Sequence, residues 1–126
     1  MKSRKLTLFS RRQVRSRYRL SKRNSTGRLR ISCAKSNRYL YVQLIDDTKG
    51  HTLFAKSTLS SDFNEFFKGK FNRKNKEAAK HLGEFFAKKL LATGIKDNLI
   101  FDKGGYAYKG VIESLSESMR GAGLIF

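Results

Sequence analysis

Basic residues supply the clearest chemistry in this chain. Arg4, Arg11, Arg12, Arg15, Arg17, Arg19, Lys22 and Arg23 crowd the first 23 residues, and Arg28 and Arg30 follow closely. A guanidinium presents a planar fork that binds two phosphate oxygens at once and stacks on a base, which an ammonium does less well. The preference for arginine therefore points to RNA or DNA rather than to an acidic protein surface. The charge is also polarised. Residues 1–38 carry 14 basic residues and no acid, whereas residues 39–126 carry 14 basic and 10 acidic, a balance of 14 − 10 = +4. Such a run can instead be a solvated tail or an organellar targeting peptide, but its density without any acid favours nucleic-acid contact. A membrane-surface helix is disfavoured, because arginines at 11, 12, 15, 17 and 19 project all around a helix and leave no clean apolar face. Leu6, Phe9, Val14, Tyr18 and Leu20 allow a short helix. Self-repulsion makes that helix marginal without a counter-surface, so it is expected to order only on binding.

The acidic residues do not assemble a catalytic centre. Two-metal hydrolysis needs several converging carboxylates. Asp46 and Asp47 are neighbours in a turn and diverge, Asp102 ends a strand, and Glu113 and Glu117 stand one helical turn apart on a polar face. Those spacings suit solvated structural roles. A small RNA-processing nuclease is therefore the rival function, not the leading one. Cys33 is the one cysteine and cannot form an internal disulfide, and His51 and His81 are 81 − 51 = 30 positions apart. Redox, zinc and haem chemistry thus lack support, and no catalytic residue, metal, cofactor or small-molecule substrate is expected. Lys103-Gly-Gly-Tyr-Ala-Tyr-Lys-Gly110 follows a strand and opens a helix, a geometry in which backbone amides bind phosphate. It matches neither a dinucleotide fingerprint nor a P-loop. Lys103, Tyr106 and Lys109 are instead candidate RNA contacts, with the alternative that Tyr106 and Tyr108 only cap the core.

The elements that position these residues are legible from periodicity. Arg28–Ala34 alternates as a strand with Leu29, Ile31 and Cys33 on one side. A turn at Ser36-Asn37 leads to Arg38–Ile45, with Leu40, Val42 and Leu44 inward and Tyr39, Tyr41 and Gln43 outward. After the polar turn Asp46–Gly50, a third strand runs His51–Ser57, with Leu53 and Ala55 opposed to Thr52, Phe54 and Lys56. The outward set Arg28, Arg30, Tyr39, Tyr41, Gln43, Phe54 and Lys56 resembles a platform for unpaired bases, unless a second layer of helix buries its rings. Asn37 and Arg38, in the turn beside Tyr39, join the candidate RNA contacts. Residues 58–71 suggest a helix capped by Ser61 or Asp62 followed by a basic loop. Asn75 caps a helix to Thr93, a strand spans Asn98–Asp102, and a last helix spans Val111–Ala122.

A helix between the third and fourth strands implies a crossover that lays the fourth strand parallel to a neighbour. The expected fold is α/β: a mixed sheet built from a three-stranded antiparallel meander, a crossover helix, a fourth strand and a C-terminal helix. Its expected core is Leu29, Ile31, Leu40, Val42, Leu44, Leu82, Phe85, Phe86, Leu99, Phe101, Ile112 and Leu115. The chain has 126 residues, 39% hydrophobic, enough for one such domain over residues 28–126 with a basic arm at 1–27. The absence of a long apolar run makes the cytoplasm the default location.

Three blocks in this order, RLRISCAKSNRYLYVQLIDDTKGHTLFAKSTL, NKEAAKHLGEFFAKKLLATGI and FDKGGYAYKGVIESLSESMRGAGLIF, resemble the bacterial family of ribosomal large-subunit protein eighteen. The most specific pieces are SNRYLYVQLIDD, FDKGGYAYKG and the terminal GAGLIF, and the likeness spans essentially residues 11–126. The resemblance implies a protein that binds 5S rRNA and helps attach it to 23S rRNA in the central protuberance, beside neighbouring large-subunit proteins. It also implies a sheet related in topology to ribonuclease H, preceded by a basic RNA-binding arm. Where the family often has His-Gly-Arg, this chain has Lys109-Gly110-Val111, so one expected basic contact is missing.

Overall fold

The computed structural model describes residues 8–23, 27–35, 39–66 and 76–126. Its elements are α1 (Leu8–Arg23), β1 (Leu29–Lys35), β2 (Leu40–Asp46), β3 (His51–Ser57), α2 (Ser61–Phe66), α3 (Lys76–Ala92), β4 (Leu99–Asp102) and α4 (Val111–Gly121). The four strands form one mixed sheet in the order β3-β2-β1-β4. β1 and β2 pair antiparallel, as do β2 and β3, while β4 lies parallel to β1 with Leu29 opposite Leu99 and Ile31 opposite Phe101. The expected crossover is thus present, with α3 as its helix.

The helices α3 and α4 cover one face of the sheet. Ile31, Leu40, Val42 and Leu44 from the strands meet Leu82, Phe85, Phe86, Leu90, Ile112, Leu115 and Met119 in a single buried cluster. Burying each large side chain contributes about 1.5–3 kcal/mol, so this cluster is the main source of stability. Two expected core members, Leu29 and Phe101, are only partly buried and pack at its margin. α3 and α4 approach closely at Gly83, where an added Cβ would lie 2.7 Å from the Leu115 carbonyl oxygen. A side chain there would force the two helices apart.

The third strand corrects the sequence reading. Phe54 is opposite Leu44, which puts it on the helix-covered face, where its ring lies 5.9 Å from that of Phe86. Leu53 is 48% exposed instead. A register irregularity follows at Leu44/Ile45, and the large residue after Leu53 wins the inward position because it reaches Phe86. Lys56, opposite Val42, leaves the outward set too: its ammonium lies 2.5 Å from Asp62 of α2. That ion pair holds the Asp62 carboxyl below the usual range.

The helix expected after Thr58 is α2, and it begins after Ser60, whose carbonyl accepts the Asn64 N–H at 3.1 Å. It delivers Phe63, a wholly buried ring missing from the expected core, edge-on to Phe85 at 5.7 Å. The turn at Ser36-Asn37, the basic loop after α2 and the Asn75 cap lie outside the described residues. At the other end of the chain, Leu124 N–H returns to the Met119 carbonyl and Ile125 N–H to that of Lys96, so GAGLIF closes α4 onto the domain.

Candidate nucleic-acid interface

The N-terminal helix has a counter-surface within the chain itself, which corrects the expectation that it orders only on binding. Phe9 packs on Tyr106 with ring centroids 4.7 Å apart. Gly105 makes the approach possible, since a Cβ there would stand 2.7 Å from the Phe9 carbonyl oxygen and 3.0 Å from its ring. Tyr106 is itself anchored: its hydroxyl accepts the Lys35 N–H at 2.8 Å and donates to the Lys35 carbonyl at 3.1 Å. Tyr106 thus links α1, the end of β1 and the loop after β4, a structural task that uses the group expected to touch RNA.

Arg30 has a comparable internal task. Its Nε and Nη2 donate to the two oxygens of Asp47 at 3.0 and 3.1 Å, and its Nη1 donates to Asp102 at 2.7 Å. These bonds, led by Asp47, raise its pKa against the opposing effect of burial. Asp102 is fully buried, accepts the Gly104 N–H at 2.8 Å and draws Arg17 to 3.6 Å. Asp46 and Asp47 diverge, as expected, but Asp47 and Asp102 share one guanidinium, because Arg30 reaches across from β1 to both. Asp46 stays with its own turn, accepting from Thr48, which lowers its pKa. Among the described residues, no group of three or more His, Cys, Asp or Glu could hold a metal ion. Cys33 is buried, its thiol pushed up to about 12 by desolvation and then by Asp102.

The remaining cations line two clefts. The first, of about 400 Å³, lies among Arg17, Arg28, Arg30, Asp47 and Thr48. The second, of about 840 Å³, runs between α1 and the loop after β4. One wall carries Arg12, Arg15 and Arg19, the other Lys103 with residues 104–108, and Arg28 and Arg120 are further basic members of the lining. None of its lining residues is acidic. Arg11 is also exposed on α1, and Lys109 is exposed beyond the loop. Lys22 and Arg23 close α1, where only their backbone is described; Arg4, Asn37 and Arg38 lie outside the described residues. Tyr39 is half-buried at the start of β2, remote in sequence from this groove. Tyr41 and Gln43, opposite Ala34 and Ser32, are half-buried on the face that α3 and α4 leave uncovered.

Arg120 is the member that sequence reasoning missed. It sits in the last turn of α4, with its guanidinium carbon 4.6 Å from the centre of the Phe126 ring and its Nη1 donating to the Tyr108 hydroxyl at 3.3 Å. Phe126 in turn stacks on Phe101 at 5.8 Å. A lone basic residue at a helix C-terminus reads as a partner for the helix dipole, so only the fold could reveal its place in the groove.

An acid-free, arginine-lined groove matches a polyanion. The comparisons agree with that chemistry. The family model described as Ribosomal L18 of archaea, bacteria, mitochondria and chloroplast matches residues 3–126. The large ribosomal subunit protein uL18 of Caldanaerobacter subterraneus subsp. tengcongensis is 48% identical over 99 residues, covering 79% of this chain and 78% of that protein. The proteins of the same name from Wolbachia pipientis subsp. Culex pipiens and Rickettsia rickettsii are 40% and 43% identical, and each alignment covers at least 94% of both chains. With the family model spanning nearly the whole length and relatives well above the threshold of chance similarity, the chain belongs to the ribosomal L18 family.

Proposed function

We propose that this protein is a non-enzymatic constituent of the large ribosomal subunit in the cytoplasm, that it binds 5S rRNA, and that it helps attach it to 23S rRNA in the central protuberance. The observation that carries the RNA contact is the acid-free groove, whose walls come from both α1 and the folded domain. Membership of the L18 family supports the ribosomal setting and neighbouring large-subunit proteins as further partners. Residues 1–27 act as the basic arm and 28–126 as the RNA-binding domain. The parallel β1–β4 pair beside an antiparallel meander supports relating the sheet to that of ribonuclease H. The nuclease reading loses its carboxylates, since Asp47 and Asp102 are both engaged by Arg30. Among the described residues, no helix is long and apolar enough to cross a membrane.

A salt titration of 5S rRNA binding tests this reading. Each phosphate contact steepens the fall of affinity by roughly 0.7 to 0.9 log unit per tenfold salt. Replacing Arg12, Arg15 and Arg19 together by Gln should therefore flatten the slope by roughly 2 to 3 units. An unchanged slope would move the phosphate contacts off α1. Crosslinking in co-sedimented large subunits then identifies which RNA is touched.

A further inference from the structure

The groove has a floor that simple phosphate binding does not need. The Arg120 guanidinium carbon stands over the Phe126 ring, Phe126 stacks on Phe101 with an interplanar angle of 23°, and Tyr108 meets Phe101 edge-on at 6.5 Å. Arg120 and Tyr108 are both exposed at the outer end of this assembly. The bond to the Tyr108 hydroxyl orients the guanidinium, so a planar cation is held over the outer ring of an aromatic pair.

Paired RNA turns its base faces inward and offers a protein its phosphates, 2′-hydroxyls and edges. A stacking surface has nothing to receive from it. An unpaired nucleotide offers both a base face and a phosphate, and aromatic rings and arginine planes are the side chains that bind such faces. The size agrees, since an open cleft of about 840 Å³ has room for a nucleotide or two. Resting on the RNA-binding reading above, we propose that this groove is a seat for unpaired nucleotides. A base stacks on the Arg120 plane beside Tyr108, while Arg12, Arg15 and Lys103 hold the flanking phosphates. The protein thereby distinguishes a looped or bulged strand from a continuous helix.

The test uses the full chain and three probes: whole 5S rRNA, a single-stranded adenine oligonucleotide of roughly 10 nucleotides, and a perfectly paired duplex of the same length. Arg120→Lys keeps the charge and removes the plane, and its exposed position leaves folding intact. Tyr108→Phe keeps the ring and removes the hydroxyl that orients Arg120. By fluorescence anisotropy, Arg120→Lys should weaken oligonucleotide binding at least about five-fold, the lower end of one stacked base, and leave duplex binding within about two-fold. Tyr108→Phe should shift the same way by less. Equal losses on both probes, or no loss on either, would overturn the seat and reduce the groove to a phosphate surface. Failure of the wild-type chain to bind 5S rRNA would instead remove the proposed function itself.

Discussion

Gly105→Ala tests whether α1 belongs to the folded unit. Position 105 is outside the left-handed backbone region, so alanine is tolerated there, and by narrowing the unfolded ensemble it would alone add about 0.4–1 kcal/mol of stability. The obstacle is Phe9, whose carbonyl oxygen and ring carbons would lie 2.7 and 3.0 Å from the new methyl. The methyl and the seated helix exclude one another. Undocking α1 forfeits the Phe9–Tyr106 ring contact, about 0.5–1.5 kcal/mol, and the Arg17–Asp102 pair. With Arg17 48% exposed, that pair contributes no more than about 1 kcal/mol. Together, about 0.5–2.5 kcal/mol shifts the docking equilibrium by a factor of roughly 2 to 70. Limited trypsin digestion reads this directly, because α1 is rich in cleavage sites. Cleavage within α1 should accelerate by about that factor, while the unfolding midpoint of the sheet stays within about 3 °C. 5S rRNA should bind more weakly, by up to the same factor, since the competent arrangement is less populated. An unchanged digestion rate would refute the seat, and a collapsed midpoint would show that the clash reaches the core.

Gly83→Ala meets a different obstacle. A Cβ there faces the Leu115 carbonyl at 2.7 Å and the Ser118 Cβ at 2.9 Å, so overpacking of about 1–3 kcal/mol should exceed the helix-propensity gain of about 1 kcal/mol. Urea denaturation should register a net loss, and a gain would mean that α3 and α4 yield freely. Asp102→Asn keeps the shape but turns an amide N–H₂ toward the donors of Arg30 or Gly104, for a loss of about 1.5–3 kcal/mol by the same assay. A change below about 0.5 kcal/mol would contradict the convergence described. Because the Cys33 thiol is raised to about 12, the unfolded chain ionises first and stability falls as pH climbs above about 8.5. The difference between wild type and Cys33→Val should therefore change by up to about 1.4 kcal/mol per pH unit there, and a pH-independent difference would dismiss the coupling.

Residues 29–35 and 40–46 could be read from alternation because α3 and α4 cover only one of their faces, and α3 and α4 could be read from helical spacing for the matching reason. β3 misled because it carries large apolar groups on both faces. Leu53 and Phe54 exchange roles once the strand pairs with Leu44, and that register is a property of the sheet, not of the segment. The arginines of α1 were visible as phosphate ligands. Their seat was not, since Phe9 and Gly105 are 105 − 9 = 96 positions apart and no local pattern links them. Nor does sequence separate an arginine committed to carboxylates, as Arg30 is, from one facing a groove, as Arg12 is.

The long reach between α1 and its seat has a consequence during synthesis. A chain emerges from its N-terminus at roughly 5–20 residues per second, so roughly 5 to 20 s separate the appearance of Phe9 from that of Gly105. β1 waits for a shorter span, 99 − 29 = 70 residues, because the β4 residues that pair with it begin only at Leu99. Throughout that interval the nascent chain displays a cationic segment with nothing of its own to rest on, together with a strand edge lacking its parallel neighbour. Closure between such distant segments is also slow once the chain is complete. The most adhesive part of this protein is therefore the part that spends longest unsheltered, and its first encounters after release from the tunnel are with whatever polyanion lies nearest.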